Sequence, residues 1–242
     1  MNNILKKKFI FEINKNNKIE IFIPEDVFFP TGTTKVLFES VKEYIKKPGK
    51  ILDLGCGCGV LGFALNKIGL IKPPLYASDL SKSSIKLLIK HAKKEKIELD
   101  ARIGSIFEPW IGEKFDYIIN DISGVSSEAA ELSPWFNNIP CNSGIDGSKL
   151  VASVLNQASN YLNKDGLLFF PVISLSNVSK IIKIAKMNFK NVIKIKGNDW
   201  PLPKSMYKNL EKLVALEKEG YIELKEKFGM KLLYTSAYVA FN

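Results

Sequence analysis

The sequence has one histidine, three cysteines and no long apolar run, and each scarcity closes off a class of function. His91 sits between Lys90 and Lys93 in a lysine-rich helical stretch and reads as a solvated helix residue, so proton transfer is expected to run without histidine. Cys56, Cys58 and Cys141 form an odd set without framework spacing, which argues against a disulfide scaffold and fits a reducing, cytoplasmic compartment. Three cysteines and one histidine do not supply a well-spaced four-ligand zinc site, and Cys56-x-Cys58 reads as small residues in a tight turn, so no metal is expected. No stretch reaches the roughly 18 apolar residues of a membrane span. The opening MNNILKKKFIFEI is basic, but Glu12 soon breaks its apolar stretch, so no signal peptide is expected. Internal repeats and low-complexity linkers are also missing.

What is present fits one α/β domain with a small appendage: 242 residues, 46% hydrophobic and 25% charged. The net charge of +10 comes mostly from lysine in a chain also rich in Asn and Ile. It is read either as a sign of an anionic partner such as RNA or the ribosome, or as background composition.

Residues 8–23 read as a β-hairpin around NKNNK, followed by a Pro/Gly loop to residue 30. From there strands and helices alternate. KILDL, LYASD, ELDARIG, FDYIIN, GLLFFPV and NVIKIKG are strands, and MKLLYTSAYVAF is a long final one. The intervening segments carry helical spacing, with Ile85, Leu88, Ile89 and Ala92 the plainest case, and Val151, Val154, Leu155, Ala158 and Leu162 on one face of a long helix. This alternation predicts a doubly wound, mainly parallel sheet covered on both faces. Segment 205–219 reads as an added helix, a lid or an interface, with Met206, Leu210, Leu213 and Val214 on one face.

ILDLGCGCGVLG carries the strongest signal: a strand, a glycine turn, then a helix. Gly55 and Gly57 permit conformations closed to other residues and let the backbone approach a ligand. The spacing departs from the dinucleotide fingerprint, because Val60 stands where the third glycine belongs. Asp53, just before the turn, suits a ligand bearing an ammonium group better than a pyrophosphate. Asp79 closes the next strand, placed to accept both hydroxyls of a ribose. A ribose and an ammonium without a phosphate describe S-adenosyl-L-methionine. A bare strand–helix turn and a dinucleotide site are the competing readings.

The run from Asp53 to Gly59 resembles the first motif of class I S-adenosylmethionine-dependent methyltransferases, and Asp79 resembles their ribose-binding acid. The resemblance implies a Rossmann-like, seven-stranded sheet with an antiparallel last strand. Residues 1–30 would form the preceding hairpin and loop, and 31–242 the methyltransferase domain. It further implies cofactor contacts from Thr31, Asp53, Gly55, Cys56, Gly57, Gly59, Asp79, Leu80, Ser105, Ile106 and Asn120. Ser105 stands where many relatives carry an adenine-binding Asp, and Ile106 and Phe107 would flank the ring, with core packing the other reading for Phe107.

Asn120-Asp121-Ile122-Ser123 ends the fourth strand of the alternation, opposite the methyl donor. Methyltransferases of planar nitrogens carry Asn/Asp-Pro-Pro-Tyr/Phe here, so Asn120 is expected to orient the acceptor and Asp121 to orient or deprotonate it. Residues 20 to 195 are similar to the small-domain subgroup that includes the release-factor glutamine methyltransferases, but the prolines and the aromatic residue are replaced and no N-terminal helical domain precedes the core. Ser123 and the loop residues Trp135 and Trp200 are candidate substrate contacts. The expected reaction is methyl transfer to nitrogen on a protein side chain or RNA. The alternatives are a small-molecule O- or N-methyltransferase and a cofactor-binding scaffold that no longer methylates.

Overall fold

A computed structural model describes residues 6–122, 124–136, 139, 141 and 143–242. The chain runs β1 (Lys6–Asn14), β2 (Asn17–Pro24), α1 (Gly32–Tyr44), β3 (Ile51–Leu54), α2 (Val60–Lys67), β4 (Leu75–Asp79), α3 (Lys82–Glu95), β5 (Leu99–Ile103) and β6 (Phe115–Asn120). It continues through α4 (Ser127–Leu132), α5 (Lys149–Gln157), β7 (Leu162–Ile173), α6 (Val178–Asn188), β8 (Asn191–Pro201), α7 (Lys204–Tyr207), α8 (Leu210–Lys218), β9 (Lys225–Lys227) and β10 (Met230–Phe241).

The main sheet has the order β5-β4-β3-β6-β7-β10-β8, with the three-residue β9 paired to β10. Strands β3 to β7 are mutually parallel, and β10 runs antiparallel to both β7 and β8. The expected sheet is therefore present, with its antiparallel last strand inserted between β7 and the edge strand β8. The hairpin β1–β2 is a separate two-stranded sheet. Its inner residues Phe11, Ile21 and Ile23 join Leu37 and Phe38 of α1 and Leu61 of α2 in one buried cluster. Val154 and Leu155 of α5, Ile181 of α6 and Phe170 of β7 form the core on the other face.

Local chemistry explains the element ends that matter for the site. The Thr31 hydroxyl accepts the Thr33 N–H at the start of α1, and the Ser81 hydroxyl accepts the Ser84 N–H at the start of α3. Pairing alternation puts Ile119 in the α1/α2 cluster and Ile118 in the α5/α6 cluster, so successive residues at the end of β6 face opposite layers.

Three expectations need correction. Trp200 is not in a loop: it pairs with Leu233 of β10, and β8 extends to Pro201 because an edge strand tolerates a residue that cannot donate. The added helix is split into α7 and α8 near Asn209, with Met206, Leu213 and Leu216 buried against Val125, Leu175 and Leu233. The long helix before β7 ends at Gln157 and continues as a 3-10 turn over Ala158–Tyr161. Helix α4 and strand β9 carry no strong period and are seen only in the structure.

Candidate functional site

The strand order reverses between β3 and β6, and ligand clefts in open α/β sheets lie outside the carboxyl ends at such a point. A cavity of about 800 Å³ opens there. Gly55, Cys56, Gly57, Asp79, Leu80, Ser105 and Ile106 line it together with Asp121, Ile122, Trp135, Phe136 and Trp200, and with Thr31 at the start of α1. Most of the residues singled out from sequence are thus brought to one space.

The glycine turn is tied down from below. Gly55 and Cys56 N–H groups both donate to the Ser78 carbonyl, at 2.9 and 3.0 Å. Gly57 N–H donates to Asp79 Oδ2 at 2.8 Å, and Gly59 N–H to the Cys56 carbonyl at 2.7 Å. Donors already engaged in this way do not form a phosphate-binding nest, which disfavours a dinucleotide. Gly55 has φ of +74°, and a Cβ there would lie 2.4 Å from Ile122 Cγ1. The turn therefore packs directly on the segment that follows β6, and only glycine fits. Ile106 holds φ of +50°, a strained conformation for a β-branched residue on the cavity wall.

Asp79 accepts from Ser81 N–H through Oδ1, also at 2.8 Å, and lines the cavity. Burial raises its pKa, against the hydrogen bonds from Ser81, Gly57 and Leu80. Asp53 is placed differently from the expectation. It is fully enclosed and does not line the cavity. Its Oδ2 accepts the Gly62 N–H at 3.0 Å, while Oδ1 has no partner. Burial, then the charges of Asp121 and Asp79, push its pKa up to about 8.

Asn120 is also fully buried and lies behind the wall. Its Oδ1 accepts the Ile122 N–H at 3.2 Å, and its Nδ2 has no partner. The wall at this strand end is made by Asp121, whose Oδ2 accepts the Thr34 hydroxyl at 2.8 Å and whose N–H donates to the Leu54 carbonyl at 3.0 Å. Burial pushes its pKa up to about 7, opposed by the Thr34 hydrogen bond. Ser123 lies outside the described residues.

Phe107 belongs to the core: it is buried and stacks on Tyr161 with ring centroids 4.3 Å apart, so it does not flank a ligand. Gly59 does not line the cavity either; a Cβ there would meet Leu88 at 2.0 Å, so its role is packing. Cys56 and Cys58 are buried, with thiol pKa values pushed up by burial, to about 12 for Cys58, so both are inert thiols. His91 packs its ring on Phe63, 4.6 Å between centroids, away from the cavity. Sequence reasoning missed Thr34, which reaches Asp121 across 87 residues, and Ser78, which holds the glycine turn. Among the described lining residues the charged ones are Lys7, Glu25, Asp79 and Asp121, so the cavity is acidic in a chain of net charge +10.

A family model described as "Methyltransferase domain" matches residues 45–223. The ribosomal protein L11 methyltransferase of Thermosipho melanesiensis is 34% identical over 142 residues, covering 56% of this chain and 54% of that protein. The release factor glutamine methyltransferase of Borreliella burgdorferi is 30% identical over 157 residues, covering 62% of this chain and 54% of that protein. Among solved structures, the T. thermophilus 16S rRNA N2 G1207 methyltransferase in complex with AdoMet and guanosine superposes with a TM-score of 0.61 at 14% identity, over 98% of this chain and 51% of that one. The chain spans about half the length of these two curated relatives.

Proposed function

The chain belongs to the methyltransferase domain family, and on that premise we propose that it transfers the methyl group of S-adenosylmethionine to a nitrogen acceptor held beside Asp121. One observation carries this reading: the glycine turn and the Asp121 carboxylate, from adjacent strands β3 and β6, wall the same cavity. The residues fit the cofactor. Asp79 offers carboxylate oxygens to ribose hydroxyls, Leu80, Ser105 and Ile106 border an adenine site, and the Gly55–Gly57 backbone leaves room for the methionine portion. Asp53, with a buried oxygen that lacks a partner and a pKa pushed up to about 8, would be drawn toward its ionised form by a ligand above it that carries an ammonium and a sulfonium. When bound, S-adenosylmethionine supplies an electrophilic methyl group on a cationic sulfur.

The chain's own residues orient the acceptor and manage its proton. Asn120 acts through the backbone: its Oδ1 closes a turn on the Ile122 N–H and so presents Asp121 to the cavity. Asp121 accepts the acceptor's proton and leaves the nitrogen lone pair free. A pKa pushed up to about 7 suits a proton acceptor that works near neutral pH. Trp135, Phe136 and Trp200 supply apolar and aromatic surface around the acceptor, in place of the aromatic residue missing after Asn120.

The acceptor is carried on a protein side chain or an RNA base. A small-molecule acceptor is the second reading, favoured by the contact of Phe28 with Phe136, 5.4 Å between centroids, which joins two cavity-lining segments. Calorimetry with S-adenosylmethionine and transfer of labelled methyl in a cell extract test the proposal. Asp121→Asn should leave cofactor affinity within about three-fold and lower transfer about 10²–10⁴-fold. Lack of cofactor binding by the wild type would overturn the reading, and binding without transfer to any product would leave the scaffold reading standing.

A further inference from the structure

We propose that Thr34 is a positioning residue for methyl transfer, fixing the Asp121 carboxylate through one oxygen and leaving the other for the acceptor. This inference rests on the reading of Asp121 as the acceptor-side carboxylate. The geometry is a hydrogen bond of 2.8 Å from Thr34 Oγ1 to Asp121 Oδ2. Oδ1 takes no hydrogen bond from any described residue, and Asp121 lines the cavity. The carboxylate is thus half bound by the protein and half offered to the cavity.

Thr34 can do this because the first turn of α1 is anchored on three sides. Gly32 lies against the indole of Trp200 so closely that a Cβ would fall 2.5 Å from Cη2. Thr33 Oγ1 meets Thr235 Oγ1 of β10 at 3.1 Å. Thr34 itself is buried, and the helix continues into the core through Val36, Leu37 and Phe38. The run Thr31-Gly32-Thr33-Thr34 therefore caps its own helix and then touches β8, β10 and the end of β6 in successive residues. A donor mounted on such an element holds its acceptor more tightly than a loop residue does, which is what alignment for displacement requires.

The groups around Asp121 leave this hydroxyl as its donor. From β3 it faces Asp53, a second carboxyl, and from the glycine turn Cys58, a neutral thiol. Lys7 and Glu25 line the same cavity from the hairpin and the loop after it, with Asp79 from β4. Lys35, next to Thr34, is turned to the Glu12 carbonyl and Glu39 instead. A hydroxyl that donates to the ionised carboxylate favours that form, so its loss moves the titration of Asp121 upward.

The test is a ¹³C NMR titration of the Asp121 carboxyl in the full cofactor-free chain, which needs no acceptor. Thr34→Val should move the midpoint alkaline by about half to one pH unit, and Thr34→Ser should restore it. In the same variants, S-adenosylmethionine affinity by calorimetry should stay near wild type, while labelled-methyl transfer in extract falls roughly ten-fold in Thr34→Val and recovers in Thr34→Ser. An unmoved midpoint in Thr34→Val overturns the inference, as does full transfer with a moved midpoint. If Thr34→Val fails to fold, Thr34→Ala takes its place with the same expected shift. Failure of the wild type to bind the cofactor would instead strike the proposed function, and the titration separates the two.

Discussion

Replacing Asp53 by Asn should make the cofactor-free protein more stable at alkaline pH. Asp53 is fully enclosed, with one oxygen on the Gly62 N–H at 3.0 Å and the other unpartnered. Its pKa is pushed from 3.8 up to about 8, first by burial and then by Asp121 and Asp79. In the unfolded chain the carboxyl loses its proton near 3.8, and in the folded chain near 8. Between these values unfolding releases a proton, so stability is fully present below pH 3.8 and is lost as pH rises through about 8. Each pH unit in that window is worth about 1.4 kcal/mol, and four such units set an upper bound of roughly 6 kcal/mol.

Asn has the same shape, stays neutral and keeps an oxygen for Gly62, so Asp53→Asn removes this loss. Urea unfolding of both proteins from pH 4 to pH 9 is the assay. The two should nearly coincide at pH 4 and diverge above it, with the variant ahead by about 3–5 kcal/mol at pH 9. S-adenosylmethionine at pH 8.5 should then stabilise the wild type more than the variant, because a cationic ligand relieves the buried charge. Parallel stability–pH curves would refute the reasoning: they would mean that Asp53 is not held protonated by burial.

Gly55→Ala places a Cβ 2.4 Å from Ile122 Cγ1 on a backbone with φ of +74°. It should lower stability by about 2–3 kcal/mol and weaken S-adenosylmethionine binding at least ten-fold, read by urea unfolding and calorimetry; wild-type affinity would contradict the placement of the turn. Trp110→Phe removes the 2.9 Å hydrogen bond to Ser78 Oγ and the Arg102 guanidinium's indole partner. A loss of about 1–2 kcal/mol in unfolding free energy is expected, together with a modest drop in cofactor affinity, because the Ser78 carbonyl anchors Gly55 and Cys56.

The legible parts of this sequence were those with local causes. The glycine turn and the strand–helix rhythm depend on residues within a few positions of one another, and the sheet follows from their order. The sequence put Asn120 and Asp121 together at the acceptor, whereas in the structure Asp121 lines the cavity and Asn120 lies buried behind it. What remained hidden depends on contacts between distant segments. Asp121 meets Thr34 across 87 residues, and Trp200 is drawn into β8 by its pairing with Leu233. Net charge is no guide to the cavity for a related reason. The excess of +10 is a property of the whole chain, whereas the cavity lining holds Lys7 against Glu25, Asp79 and Asp121. The lining carries more carboxyl than ammonium groups, so whatever enters the cavity meets a surface of opposite character to the chain as a whole.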